Sequence, residues 1–86
     1  MTTWKQLLEL SLNDNQESFE DIVAYTPQDG KWLDYYFDDD SNSVEGEFFT
    51  VWTKARVYFP VQYNGNEWVE SVARNPDGRP TKHLGG

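Results

Sequence analysis

The chain has no cysteine and a single histidine in 86 residues. Without cysteine it has no disulfide, no thiol nucleophile and no cysteine-ligated zinc site. The histidine, His83, lies close to the C-terminal end, where no predicted element fixes its geometry, so a catalytic triad is not expected. A small cysteine-free domain suits a reducing compartment, and we expect a cytoplasmic protein.

Long apolar runs are also missing. No segment approaches the ~20 apolar residues that cross a bilayer. Residues 1–12 include Lys5 and Glu9 and lack the apolar run and small-residue cleavage site of a signal peptide. No glycine-rich phosphate-binding motif is present. We therefore expect neither membrane insertion nor a bound nucleotide cofactor.

One segment begins like a calcium-binding loop. Residues 38–42 read Asp-Asp-Asp-Ser-Asn, with oxygen ligands at alternate positions. An EF-hand then needs glycine at its sixth position and glutamate at its twelfth, where this chain has Ser43 and Phe49. An EF-hand is excluded, and the segment is either a solvated charge run or a weak cation site. With fifteen acidic residues, a workable carboxylate pair arises by chance, so the sequence predicts no enzyme.

Basic residues are scarce over the first two thirds of the chain. Between Glu9 and Thr53 there are twelve acids and one base, Lys31, whereas residues 54–86 carry a net charge of +2. A stretch with a net charge of −11 repels nucleic acid and anionic lipid and attracts basic surfaces. We expect a protein partner with a basic surface and no direct binding of nucleic acid. The alternative is that acidity only keeps the protein soluble.

A helix is predicted over residues 3–12. Thr3 and Gln6 fit a capping box, which satisfies free backbone donors at a helix start. Apolar residues then recur at helical spacing on one face: Trp4, Leu7, Leu8 and Leu12.

A helical turn near 16–20 and five strands are predicted after the helix. Turn signals separate the strands at Pro27–Gly30, at Lys54–Ala55 and at Asn64–Gly65. The predicted strands cover residues 21–26, 31–38, 47–53, 56–63 and 66–73. In the second strand, Leu33, Tyr35 and Phe37 alternate with Trp32, Asp34 and Tyr36, and in the fourth, Val57, Phe59, Val61 and Tyr63 are predicted to face inward.

These elements indicate an α+β fold, with an N-terminal helix packed on a roughly five-stranded, mainly antiparallel sheet. Pro60 lacks a backbone donor, which predicts an edge position or a bulge in the fourth strand. We expect one acidic domain over residues 1–74 and an extended or flexible basic tail over 75–86.

Acids and aromatic residues cluster around the second predicted strand, its following loop and the preceding turn. Charges steer association and rigid rings supply buried contact area, so this combination suits a protein interface. The candidate partner-binding residues are Glu17, Glu20, Trp32, Asp34, Tyr36, Asp38, Asp39, Asp40, Glu45 and Glu47. For Trp32 the alternative is a core position, because both faces of its predicted strand are aromatic.

Two short segments resemble a known inhibitor family. The residues 16–19, Gln-Glu-Ser-Phe, are similar to the Gln-Glu-Ser-Ile segment with which uracil-DNA glycosylase inhibitors contact their enzyme. Val61–Gln62 before Asn64–Gly65 resembles the last hairpin of those inhibitors, and the length, acidity, lack of cysteine and element order are also similar. The aromatic richness and the basic tail differ. The resemblance implies that Glu17 contacts a partner.

The function expected from these observations is that of a small acidic inhibitor or decoy. It would bind the basic nucleic-acid-binding surface of a nuclease, a glycosylase or a CRISPR effector, as phage-type DNA mimics and anti-CRISPR proteins do. One alternative is an immunity or antitoxin protein that neutralises a basic toxin. The other is an accessory structural module without mimicry. We expect a monomer or a small homo-oligomer.

Overall fold

A computed structural model describes residues 2–34, 36–37, 48–63, 66–76 and 78–81, with the backbone alone for Tyr36, Phe37 and Tyr63. In these residues there is one α-helix, α1 (Trp4–Asp14), and there are two 3₁₀-helices, Phe19–Asp21 and Lys31–Asp34. The strands are β1 (Thr2–Thr3), β2 (Ile22–Thr26), β3 (Tyr36–Phe37), β4 (Thr50–Thr53), β5 (Arg56–Tyr63) and β6 (Asn66–Ala73).

The strands form two antiparallel sheets. One has four strands in the order β2-β4-β5-β6, and the other pairs β1 with β3. Helix α1 packs against β6 and against the second 3₁₀-helix. The predicted α+β class, with an N-terminal helix on an antiparallel sheet, is therefore confirmed, but a fifth strand in the main sheet is not confirmed in the described residues.

Helix α1 begins where the sequence predicts. The Thr3 hydroxyl accepts from the Gln6 amide at 3.2 Å, and the Gln6 side chain accepts from the Thr3 amide at 3.4 Å. The buried stripe comprises Trp4, Leu8 and Leu12. The helix extends two residues beyond the predicted end, to Asp14.

The prediction of a strand over residues 31–38 is wrong for its first half, which forms the 3₁₀-helix Lys31–Asp34. Gly30 has a φ of +68°, and its carbonyl accepts from the Leu33 amide at 3.1 Å. The Asp29 carboxylate accepts from the Lys31 amide at 3.1 Å. These local hydrogen bonds compete with strand pairing and tighten the chain into a turn.

The 3₁₀-helix directs Trp32 into the core, where it is 1% exposed. Its indole N–H donates to the Pro27 carbonyl at 2.9 Å. Phe49 stacks on Trp32 with ring centroids 4.4 Å apart, and it meets Trp4 edge-on at 5.0 Å. One phenylalanine therefore joins the helix to the second 3₁₀-helix, with aromatic contacts worth about 0.5–1.5 kcal/mol each beyond burial.

Strand β4 is shorter than the predicted 47–53: it starts at Thr50, and Glu47 lies outside the described residues. The turn at Lys54–Ala55 is confirmed, although neither residue is a usual one for a turn. The Thr53 hydroxyl accepts from the Ala55 amide at 3.3 Å and from the Arg56 amide at 2.9 Å. The threonine before the turn therefore supplies the hydrogen bonds that the turn residues cannot.

Strand β5 has its predicted bounds but the opposite face inward. Tyr58 is buried at 0% exposure, whereas Val57, Phe59 and Val61 are only half-buried. Arg56 and Gln62 share the face of Tyr58, so alternation favours the other face, and the predicted orientation is wrong. The Tyr58 hydroxyl finds an acceptor inside the protein, which allows this phenol to take the core position.

Pro60 lies beyond the part of β5 that pairs with β4. The β4–β5 register ends at Val51↔Tyr58, whereas Pro60 is opposite Val69 of β6. In the described residues this stretch of β5 is bordered by strand β6 alone, as the edge prediction requires.

The chain after β6 is held at its start. The Arg74 amide donates to the Ala55 carbonyl at 2.9 Å, and the Arg74 guanidinium donates to the Thr53 carbonyl at 3.0 Å. The residues that follow in the described set, 75–76 and 78–81, are exposed.

Candidate partner-binding surface

Glu17 lies at the end of the α1 connection and faces the sheet. Its Oε1 accepts from the Tyr58 hydroxyl at 2.5 Å and from the Thr53 hydroxyl at 3.2 Å. Tyr58 and Thr53 are both 0% exposed, so these hydrogen bonds lie largely out of water. A hydrogen bond from a hydroxyl to a carboxylate is shorter and stronger than one between two neutral groups.

The helix end places Glu17 in this position. The Glu17 amide donates to the Leu12 carbonyl at 2.8 Å, and the Gln16 amide donates to the Asn13 carbonyl at 3.0 Å. Gln16 has a φ of +62°. This is the Schellman arrangement that ends many helices, with glutamine at the left-handed position where glycine is usual.

The Tyr58 phenol stays protonated over a wide pH range. Burial of the ring, followed by the hydrogen bond and the negative charge of Glu17, raises the pKa of Tyr58 above its ordinary value. The nearby Arg56 charge opposes this shift. A protonated phenol bound to a carboxylate is a structural link between the helix end and the sheet.

Ser71 extends this link to β6. The Arg56 Nε donates to the Ser71 hydroxyl at 2.6 Å, and the Asn15 side-chain amide donates to the same hydroxyl at 3.3 Å. Asn15 also donates to the Ser11 carbonyl at 3.0 Å. Residues Glu17, Thr53, Tyr58, Arg56, Ser71 and Asn15, which we call the polar network, thus join α1 to three parts of the sheet.

Six acidic side chains are exposed in the described part of residues 9–53. They lie on α1, on the two 3₁₀-helices and on the turn after β2: Glu9, Asp14, Glu20, Asp21, Asp29 and Asp34. We call these residues the acidic surface. Two of them also bind backbone: Asp21 accepts from the Ser18 amide at 2.9 Å, and Asp29 accepts from the Lys31 amide. The charges are therefore carried by short, hydrogen-bonded elements and not by extended chain.

A shallow groove of about 400 Å³ opens beside the first turns of α1. Its lining includes Glu9 and Asp34, together with Lys5. Asp34 ends the second 3₁₀-helix, which contacts α1, so two carboxylates distant in sequence line one groove.

The predicted partner-binding residues have different environments. Glu20 and Asp34 are exposed, as an interface requires. Trp32 is buried, so its ring is a core residue and is not available as a surface anchor. Glu17 is half-buried and turned toward Tyr58 and Thr53, and the partner contact that the resemblance implies for it stays a prediction.

For the remaining predicted residues the structure describes no side chain. Tyr36 is described by its backbone alone, opposite Thr3 in the small sheet. Asp38, Asp39, Asp40, Glu45 and Glu47 lie outside the described residues, as does the weak cation site considered at 38–40. Within the described ranges, no group of three histidine, cysteine or acidic residues is arranged to hold a metal ion.

Sequence reasoning missed the polar network. The alternation in β5 predicts an outward Tyr58, and the predicted strand 47–53 gives Thr53 no role beyond its last position. A signal was present in the pattern Thr53-Lys-Ala-Arg56, because a threonine before an otherwise poor turn often supplies the missing hydrogen bonds.

Comparisons of the chain with protein-family models, with curated proteins and with solved structures gave no match. No helix in the described segments has the length and apolar character needed to cross a bilayer.

Proposed function

We propose that this protein is a non-enzymatic inhibitor or decoy that docks its acidic surface onto the basic, nucleic-acid-binding surface of a partner protein. The observation that carries the proposal is the density of exposed carboxylates on ordered elements. Six exposed acids and one exposed base, Lys31, lie in the described part of residues 9–53. A basic cleft that binds phosphates is complementary to such an array.

Several charges are needed for this function. One exposed ion pair contributes only about 0–1 kcal/mol, so a single carboxylate does not define a binding site. Charges of one sign on one surface act together, and steering raises association rates by roughly 10- to 1000-fold at low salt. Asp38, Asp39, Asp40, Glu45 and Glu47 add to the array on sequence grounds, and Tyr36 is the remaining candidate for an aromatic anchor.

The test is capture of partners by the immobilised protein, followed by elution with duplex DNA. We expect proteins captured at low salt to be released by DNA, because both ligands compete for the same basic surface. The matched variant is Glu9→Gln/Glu20→Gln/Asp34→Asn, which removes three charges that make none of the hydrogen bonds described above. It should capture much less of the same proteins.

Two outcomes would contradict the proposal. The first is a captured protein that duplex DNA and high salt do not release. The second is equal capture by the wild type and the triple variant, which would leave the acidity as a determinant of solubility only. The identity of a captured protein, a toxin nuclease or a nucleic-acid enzyme of another kind, would then define the class of inhibitor.

A further inference from the structure

Phe48 is 84% exposed, more than any other large apolar side chain in the described residues. Its neighbour Phe49 is buried in the core. Single exposed apolar residues are common on protein surfaces, so exposure alone assigns no function to the Phe48 ring. Its backbone support and its charged surroundings are what distinguish it.

The backbone that carries Phe48 is held on its C-terminal side. Phe49 contacts the rings of both Trp32 and Trp4 in the core. Thr50 then begins strand β4, which pairs with β2. A phenylalanine on held backbone has only two side-chain torsions to fix, so it loses little conformational entropy when a partner covers it. Phe48 is therefore suited to be a contact residue.

Part of the acidic surface lies at the same end of the sheet as Phe48. Because β2 and β4 are antiparallel, the turn that leaves β2 lies beside the residues that enter β4. That turn carries Asp29, and the 3₁₀-helix that follows it ends at Asp34, both of them exposed. Phe49 stacks on Trp32, which lies between these two acids in the chain. The exposed ring and the acidic surface are therefore neighbours.

Charge selects the group that covers the Phe48 ring. The sequence from 29 to 47 contains seven acids and one base, Lys31, which favours a cation over a neutral or anionic group. The arginine guanidinium is planar and weakly hydrated, so it stacks on an aromatic face while its N–H groups bind carboxylates. The lysine ammonium is compact and strongly hydrated, and it fits this combination less well.

Nucleic-acid-binding surfaces supply arginines of this kind. Their guanidinium groups bind phosphates, and they also stack on exposed bases. An exposed ring beside carboxylates offers both features to such a surface, a flat aromatic face and negative charge. Carboxylates alone would offer only the charge.

We propose that Phe48 is the aromatic anchor of the acidic surface, on which an arginine of the basic partner stacks while its guanidinium binds a neighbouring carboxylate. The inference rests on the proposed function, because the arginine belongs to the same basic partner. It extends that function from matching the charge of phosphates to occupying the position of a base. The carboxylates then act mainly on association, and the ring acts mainly on dissociation.

The affinities of the full chain for an oligoarginine peptide and for an oligolysine peptide of equal length test the proposal. Phe48→Ala should weaken binding of the arginine peptide about two- to fivefold, as expected for one exposed cation–π contact, and should change binding of the lysine peptide little. Phe48→Leu keeps an apolar side chain without a π-system and should behave like Phe48→Ala. The control Leu10→Ala, at an exposed residue of α1, should bind both peptides like the wild type.

The variant Glu9→Gln/Glu20→Gln/Asp34→Asn separates this inference from the proposed function. It removes charge and no ring, so it should weaken binding of both peptides by similar factors. An unchanged affinity of Phe48→Ala for the arginine peptide overturns the inference, as does an equal loss for both peptides or full arginine binding by Phe48→Leu. The two failures are distinct, because capture and release by duplex DNA test the proposed function, whereas the peptide pair tests the ring.

Discussion

At the scale of single residues, the Glu17 carboxylate has the most consequential environment. It faces Tyr58 and Thr53 across the helix–sheet boundary. Removing the phenol hydroxyl by Tyr58→Phe leaves the carboxylate with one fewer donor, and we expect a loss of about 1–2 kcal/mol in the free energy of unfolding. Chemical denaturation measures it, and the control Tyr25→Phe, at a residue 40% exposed, should change stability little.

The pair also predicts coupling. In a double-mutant cycle with Glu17→Gln and Tyr58→Phe, the double variant should lose less free energy of unfolding than the sum of the two single losses. The difference should be about 0.5–2 kcal/mol, because either substitution alone already removes the same hydrogen bond. Additive losses would mean that the two side chains do not interact in solution. If Glu17 instead served only a partner, Glu17→Gln would leave stability unchanged.

Tyr58 also predicts an alkaline limit to stability. Its pKa is raised in the folded state, so the unfolded chain loses the phenolic proton first as pH rises past about 10. The protonated Tyr58 phenol therefore contributes its full stabilisation below the pKa that Tyr58 has in the unfolded chain. This contribution decreases as pH rises toward the pKa of Tyr58 in the folded state. Denaturation midpoints from pH 8 to 11 measure this, and the decrease should be smaller in Tyr58→Phe. An equal decrease of the midpoint with pH in the wild type and in Tyr58→Phe would contradict this role of Tyr58.

At the scale of elements, the end of α1 contains a residue in an unfavourable conformation. Gln16 has a φ of +62°, which costs a residue with a side chain about 1–2 kcal/mol, although glycine loses more entropy on folding. We expect Gln16→Gly to raise the free energy of unfolding by about 0.5–1 kcal/mol. The control Asn13→Gly, in the last turn of the helix, should lower it by about 0.3 kcal/mol, because glycine has a poorer helix propensity than asparagine.

The elements also show what the sequence can predict. The helix start, the hairpin strand β5 and the strand after Asp21 follow from capping, alternation and turn residues, and these predictions are confirmed. The alternation of apolar and aromatic residues through 31–38 predicts a strand, but residues 31–34 form a 3₁₀-helix. The hydrogen bonds that the Asp29 carboxylate and the Gly30 carbonyl accept, together with the buried position of Trp32, outweigh the strand propensity.

The sequence predicts the negative charge of the candidate site, but it does not predict which acidic side chains face the protein interior. Exposure of Glu20 and Asp34 follows from their polarity, and both are exposed. The inward position of Glu17 depends on Tyr58 and Thr53, which are 41 and 36 residues away in sequence. Local sequence patterns carry no information about such a contact. The sequence around Glu17 is typical of an exposed acid, and the side chain nevertheless belongs to the polar network.

At the scale of the whole molecule, charge predicts that the protein itself does not bind nucleic acid. A net charge of −8 opposes the phosphate backbone, which supplies most non-specific affinity. Fluorescence polarisation with a random duplex near physiological salt should detect no binding. If binding is detected, deletion of residues 75–86, which include Arg79 and Lys82, would show whether the basic tail is responsible, and tight binding without the tail would contradict the account.

The central claim is that the acidic surface directs association with a basic partner, and the association rate constant measured against salt tests it most directly. With a partner that DNA displaces, the rate should fall steeply as salt rises. Glu9→Gln/Glu20→Gln/Asp34→Asn should reduce it about tenfold at low salt with little change in dissociation, whereas Glu70→Gln, on the opposite face of the sheet, should have little effect. An association rate that ignores both salt and the triple variant would contradict the claim.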